Sequence, residues 1–337
     1  MPLVEVTASG LHCERGGFTI DPWKPVPFAL ITHAHGDHAR PDSERYLGAA
    51  PGKDVLARRV AADVETIPFG EVRRLGDVNV SFHPAGHVLG SAQIRIDDGN
   101  EVWVVSGDYK RAPDPTCRPW EVVPCDVFIT EATFALPIYR WSPPRVVLEE
   151  IRSWWRGNAA AGKASILYCY ILGKAQRLLA ELRALGDLPE DVAYVHGALE
   201  PMNALYRDAG VALLETKKIA DVERKDWAGQ LILAPPSVRR SPWLRRFKDH
   251  EAALVSGWMQ VRGTRRGRGL SRGFVLSDHA DWPNLVRTIE ESGAKKVLCT
   301  HGFSDTLARF LREERGLDAS ALTTEFLGEE GAELARS

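Results

Sequence analysis

The sequence predicts an α/β protein, and three observations carry that expectation. To about residue 135, short apolar and β-branched runs are separated by Gly, Pro and Asp turns with little sustained helical periodicity. After the stretch from Pro137 to Pro144, strands and helices alternate, which is the texture of βαβ units and a parallel sheet. Past Gly273 strand candidates return, and those on both sides of the alternating block end in a residue able to ligate a metal or move a proton. The 337 residues, 44% hydrophobic and 26% charged, are enough for two domains with a core each, and they exclude the disordered and fibrous classes.

The strand candidates of the first part run as follows. Phe28 to Ile31 leads into Thr32 and then His33, Ala34, His35, Gly36, Asp37, His38. Val78 to Phe82 is followed by Gly86 and His87, Val102 to Val105 by Gly107 and Asp108, and Val127 to Ile129 by Thr130 and Glu131. In the alternating block, Val146 to Trp155 reads as helix, Ile166 to Tyr170 as strand and Ala175 to Leu185 as helix. Further strands are expected at Val192 to Val195, Leu231 to Ala234 and Ala252 to Val255. Gly273 to Leu276 and Lys296 to Cys299 complete the set, each followed by a helix, and they lead to His279 and His301.

The formal charge of −2 conceals a local imbalance. Between Arg239 and Arg272 ten basic residues face only Asp249 and Glu251, so this stretch carries +8 and the remainder −10. No charged and apolar leader opens the chain and no window approaches the roughly 18 apolar residues of a membrane span, so a cytoplasmic location is expected. Five scattered cysteines without a CxxC pair indicate neither a disulfide framework nor a thiolate zinc knuckle.

A lone histidine after a strand is ordinarily a polar loop residue or a hydrogen-bonded core residue, and His12, His83, His196 and His250 are read that way. The segment from His33 to His38 differs, because crowding three imidazoles and a carboxylate into six residues is costly without a cation to neutralise and orient them. His33 and His35 share a side of an extended backbone, whereas Gly36 permits a sharp turn before Asp37 and His38. One loop can thus feed two adjacent metals. Imidazole and carboxylate ligands without cysteine suit Zn²⁺ or Mn²⁺, and such a site is more often catalytic than structural.

These residues resemble the metallo-β-lactamase superfamily, whose HxHxDH motif is matched by His33-Ala34-His35-Gly36-Asp37-His38, with Asp21, His87 and Asp108 at its other ligand and support positions. Glu131 in ITEAT, His279 in SDHAD and His301 in CTHG resemble motifs A, B and C of the β-CASP nuclease branch. That resemblance spans essentially the whole chain. It implies an αββα sandwich with an inserted β-CASP α/β domain, the sandwich from residues 1–138 and 273–337 and the insertion from residues 139–272. Within the branch, YCYILGKAQR, SGWMQVRGTRRGRG and RGFVLSDHADW are similar to the bacterial ligase-associated DNA exonucleases. His301 stands apart from this finer match, since histidine at motif C is common in RNA-processing members and the eukaryotic DNA-repair members carry valine.

The resemblance implies one metal held by His33, His35 and His87, another by Asp37, His38 and His301, and Asp108 bridging the two. Two such ions polarise phosphate oxygens and lower the pKa of a shared water to hydroxide. His279 is the expected general acid for the departing oxygen, with Glu131 orienting its imidazole and favouring the protonated form; Asp37 enters the catalytic step through the metal it holds. Asp21 is expected behind the ligands, fixing their orientation through hydrogen bonds, and Thr32 and Thr300 can act in the same way.

For substrate grip, Gly173 and Lys174 open a helix after a strand, where free N–H groups and a lysine can receive a phosphate. Arg262, Arg265, Arg266 and Arg268 alternate with glycines that let backbone approach whatever the guanidinium groups hold. Trp243 and Trp258, in the same basic stretch, read equally as base-stacking or core residues. The leading expectation is a metal-dependent DNA exonuclease working 5′ to 3′ in DNA repair; the resemblance's subgroup name suggests a DNA ligase or a helicase as functional partner. The alternative is an RNA-processing β-CASP ribonuclease, supported by His301. The inserted domain and the arginine cluster argue against a thioesterase or lactonase, and the intact ligand positions argue against a binding protein with a dead site.

Overall fold

The computed structural model describes residues 2–223, 226–261 and 272–325. It divides into two compact units, one of the residues up to Arg140 together with those from His279, the other from Trp141 to Asp278.

The first unit holds two sheets. One runs in the order Glu5–Thr7, Gly10–Cys13, Phe18–Ile20, Ala29–Leu30, Tyr46–Ala49, Glu65–Ile67. The other runs Asp318–Ala321, Lys296–Thr300, Val127–Glu131, Val102–Val105, Ala92–Asp97, Val78–Pro84, Arg73–Leu75. Their inner faces share one core, in which Phe18, Ile20, Leu30 and Leu47 of the first sheet meet Val80, Phe82, Ile94, Trp103 and Ile129 of the second. Apolar side chains at every second position, as in Val78, Val80 and Phe82, put one face of each strand in that core.

Helices close the outer faces. Leu56 of Lys53–Val60 lies so near Gly48 of the first sheet that a Cβ there would sit 2.9 Å from Leu56 Cδ2. The outer face of the second sheet packs Phe128, Val297 and Cys299 against Leu285, Ile289, Leu307 and Leu311 of Trp282–Ser292 and Ser304–Arg315. The layering is αββα, and together with its second unit the chain has the metallo-β-lactamase/β-CASP fold. The central strands Val102–Val105, Val127–Glu131 and Lys296–Thr300 are parallel, so their carboxyl ends lie along one edge. That shared edge is why ligands far apart in sequence converge.

The second unit is a parallel sheet in the order Glu215–Lys218, Val192–Val195, Leu231–Ala234, Ala164–Tyr168, His250–Val255, Arg272–Phe274. Pro144 opens the first helix, Pro144–Ala160, two residues earlier than expected; proline suits that first turn because it lacks the N–H the turn would leave unbonded. Residues 273–278, expected with the sandwich, cluster with this unit because Arg272–Phe274 pairs with His250–Val255. Trp243 and Trp258 pack against this unit's core, and Trp243 lies edge-on to Phe247 at 4.9 Å between ring centres.

Among the described residues, no helix is long and apolar enough to cross a membrane. All five cysteines are free thiols.

Candidate metal centre

Each side chain of the centre sits just beyond the end of a strand in the first unit. His33, His35, Asp37 and His38 follow Ala29–Leu30, and His87 follows Val78–Pro84. Asp108 follows Val102–Val105, Glu131 ends Val127–Glu131, and His301 follows Lys296–Thr300. Apart from half-buried His301, none of these is more than 7% exposed.

Asp108 is the hub. Its Oδ2 lies 3.4 Å from His33 Nε2 and 3.7 Å from His87 Nε2, and His87 Nε2 is 3.1 Å from His35 Nδ1. Its Oδ1 lies 3.0 Å from His301 Nε2 and 3.6 Å from His38 Nε2. Among the described residues two histidine-rich groups able to hold a metal result, one of His33, His35, His87 and Asp108 and one of His38, Asp108 and His301, sharing a single carboxylate, and Asp108 with Glu131 and His279 forms a third such group. Asp37, expected with the second group, approaches it through an oxygen 3.7 Å from His38 Nε2.

Cations fit these residues by hydrogen-bond accounting. Among the described residues, His33 Nε2 and both Asp37 carboxylate oxygens find no hydrogen-bond partner though buried, a costly condition for polar atoms unless an ion meets them. The donors are imidazole nitrogens and carboxylate oxygens, a set that suits divalent metals.

Electrostatics follow the same division. Burial, reinforced by the nearby His38 charge, lowers His33 to about 3, so that it is a neutral imidazole at neutral pH. Burial also works against a proton on His38, yet the carboxylates of Asp108, Asp37 and Asp21 outweigh it and lift that histidine to about 10. Burial alone would raise Asp108, but the His38 and His279 charges hold its carboxyl well below the usual carboxylate range.

The supporting bonds are short. The Nδ1–H of His38 donates to Asp21 Oδ2 at 2.7 Å, and His301 Nδ1 lies 2.7 Å from the Thr300 hydroxyl. His279 Nδ1–H donates to Glu131 Oε2 at 2.9 Å, while the other Glu131 oxygen accepts from the Tyr109 amide at 2.8 Å. Both Glu131 oxygens are therefore bonded, and the imidazole of His279 stands with its ring centre 4.7 Å from that of His87. Asp21 and His301 both have positive φ, at 43° and 32°, the sort of strained backbone that surrounding structure maintains at functional positions.

The structure corrects the sequence at Gly173 and Lys174. Lys174 is buried, donates to the Leu276 carbonyl at 2.8 Å and pairs with Asp278 at 2.8 Å, and the Gly173 amide donates to Gln176 Oε1 at 2.8 Å. The lysine charge and the amide both have internal partners, so this turn is a structural clasp rather than a phosphate cradle. Arg262, Arg265, Arg266 and Arg268 lie outside the described residues. The four histidines set aside are bonded elsewhere: His12 to Thr19 and Glu14, His83 to Ser81 and Glu121, His196 to the Ala198 amide and His250 to the Phe247 carbonyl.

Sequence reasoning passed over Tyr109, whose amide holds Glu131, and the glycines that let the loops meet. A Cβ on Gly302 would lie 2.6 Å from Thr133 Cα, and one on Gly107 would lie 2.7 Å from the Thr32 Cβ. Their signal was a glycine directly beside a ligand, Gly107 before Asp108 and Gly302 after His301.

No family model matches the chain. It is 31% identical over 327 residues to a probable DNA ligase of Opitutus terrae, a match covering 96% of this chain and 31% of that protein. It is 33% identical over 120 residues to the endoribonuclease ysh1 of Aspergillus fumigatus, covering 34% of this chain and 13% of that one. The chain thus spans less than a third of the length of either relative. An RNase J-like protein of Methanocaldococcus jannaschii is 27% identical over 351 residues, with 83% of this chain and 82% of that protein covered. A crystal structure of an Enterococcus faecalis protein of unknown function has the same fold at a TM-score of 0.59 and 11% identity, covering 88% of this chain and 79% of that one. The ligand-bearing strands, the αββα layers and these relatives together support a likeness to the metallo-β-lactamase β-CASP superfamily.

Proposed function

We propose that this chain is a metal-dependent nuclease that hydrolyses phosphodiester bonds. The observation that carries this reading is Asp108, whose two oxygens face two separate sets of histidines. His33, His35 and His87 would hold one divalent cation and Asp37, His38 and His301 another, with Asp108 between them; the bare Asp37 oxygens support its place in the second set. Zn²⁺ or Mn²⁺ suits these donors, and such a pair of ions polarises phosphate oxygens and makes water nucleophilic at neutral pH.

The chain's own proton chemistry centres on His279. With Nδ1–H committed to Glu131, its Nε2 is the atom that would carry a proton to the departing oxygen. The buried Glu131 carboxylate orients the ring and favours its charged form. The Tyr109 amide keeps Glu131 from turning away.

As substrate we propose DNA, degraded exonucleolytically from a 5′ end in a repair setting. The likeness of nearly the whole chain to part of a probable DNA ligase supports this reading and supports functional association with a ligase; a helicase partner rests on the sequence resemblance alone. The arginines at 262, 265, 266 and 268 would grip phosphates in a way that depends on salt and little on sequence. An RNA-processing role is the second reading, favoured by His301 and by the endoribonuclease and RNase J-like relatives.

End-labelled single-stranded DNA and matched RNA, each with and without a 5′ phosphate, discriminate between them when incubated with Mn²⁺ or Zn²⁺. Mononucleotide release from DNA that Asp108→Ala and His279→Ala both abolish is the expected result. Cleavage of RNA alone would move the enzyme to the second reading, and cleavage of neither would overturn both.

A further inference from the structure

Each polar group of Thr32 has a partner. Its amide donates to Asp21 Oδ1 at 2.8 Å and its carbonyl accepts from the Ala92 amide at 2.9 Å. Its hydroxyl lies 2.6 Å from Asp21 Oδ2 and 3.0 Å from His33 Nδ1. A hydroxyl has one proton and a carboxylate only accepts, so at 2.6 Å that proton goes to Asp21. The contact with His33 is then a hydrogen bond only if Nδ1 carries the hydrogen and the threonine oxygen accepts it.

We propose that Thr32 is a positioning residue that relays the Asp21 carboxylate to His33 and fixes this imidazole in its Nδ1–H tautomer, with the Nε2 lone pair turned toward the metal position. The same Asp21 oxygen accepts directly from His38 Nδ1–H at 2.7 Å, so one buried carboxylate orders two imidazoles, one from each group. His33 Nε2 agrees with this assignment: it is buried, has no hydrogen-bond partner among the described residues and lies 3.4 Å from Asp108 Oδ2. A lone pair aimed at a carboxylate oxygen is stable when a cation lies between them. Gly107 allows the arrangement, since a Cβ there would stand 2.7 Å from Thr32 Oγ1. The inference rests on the cluster being a metal centre, but the tautomer can be read without metal.

The test uses the whole metal-free chain with ¹⁵N-labelled histidine, whose long-range proton–nitrogen couplings distinguish the two tautomers, followed by titration with Zn²⁺ alone against a competing chelator. The wild-type chain should show His33 protonated at Nδ1. Thr32→Val, nearly isosteric but without the hydroxyl, should lose that signature and bind Zn²⁺ roughly 10–100-fold more weakly, whereas Thr32→Ser should keep both within about threefold. An Nε2–H tautomer in the wild-type chain overturns the proposal without any variant having to fold. So does Thr32→Val that keeps the Nδ1–H pattern and wild-type affinity. An Nδ1–H signature in a wild-type chain that binds no Zn²⁺ upholds the relay and removes the metal reading instead.

Discussion

At His38 a metal would have to compete with a proton for one nitrogen. Asp108, Asp37 and Asp21 crowd this imidazole and lift it to about 10, so in metal-free protein it is charged throughout the neutral range. A cation must displace that proton before Nε2 can ligate it, so affinity should fall as pH falls and rise as pH rises toward that value. Expulsion of one proton predicts a gain on the order of tenfold per pH unit between pH 6 and 8. Zn²⁺ titrations at pH 6, 7 and 8, run in two buffers of different ionisation enthalpy, read the slope and the released proton together. His33, neutral through the same range, should add nothing to that slope. A flat profile would mean that His38 is not a ligand.

The meeting of the loops that deliver the ligands depends on backbone that only glycine tolerates. Gly302 has φ of 67°, and a Cβ there would run into the backbone of Ala132 and Thr133, which follow Glu131. The Phe303 amide reinforces that contact by donating to the Ala132 carbonyl at 2.8 Å. Gly302→Ala should therefore cost roughly 2 kcal/mol or more and displace His301. Thermal unfolding measures the first effect. Metal counting measures the second: an ion that His38 and His301 would hold should be lost, and one that His33, His35 and His87 would hold should be retained. Retention of both ions at an unchanged melting temperature would show that the loop has slack its geometry does not suggest. The sequence holds a signal for this element, since Gly107 and Gly302 stand directly beside Asp108 and His301, but only the structure shows what their missing Cβ atoms make room for.

For the molecule as a whole, legibility followed sequence distance. The HxHxDH run and the strands ending in His87, Asp108, Glu131 and His301 could be read because period-two apolar runs mark strands and their ends mark a sheet edge. The grouping of Asp108 with both sets of histidines was legible only through the family resemblance, since it depends on the parallel pairing of Val102–Val105, Val127–Glu131 and Lys296–Thr300, which no local pattern specifies. Lys174 was misread for the same reason. A glycine and lysine opening a helix look like a phosphate turn until Asp278, 104 positions away, is found in contact with the lysine. Thr32 could be named from its place beside His33, but not as a relay, since the relay needs Asp21 to fall 2.6 Å from its hydroxyl.

A single carboxylate, that of Asp108, would serve two metals in one nuclease site. The most direct test is to titrate the metal-free chain with Mn²⁺ or Zn²⁺, count the ions bound, and assay nuclease activity for the wild type beside the near-isosteric Asp108→Asn. The wild type should take up two ions and cleave, whereas Asp108→Asn should bind both weakly and lose activity on the order of 10³-fold. Two ions held as tightly by Asp108→Asn, with cleavage intact, would contradict the account.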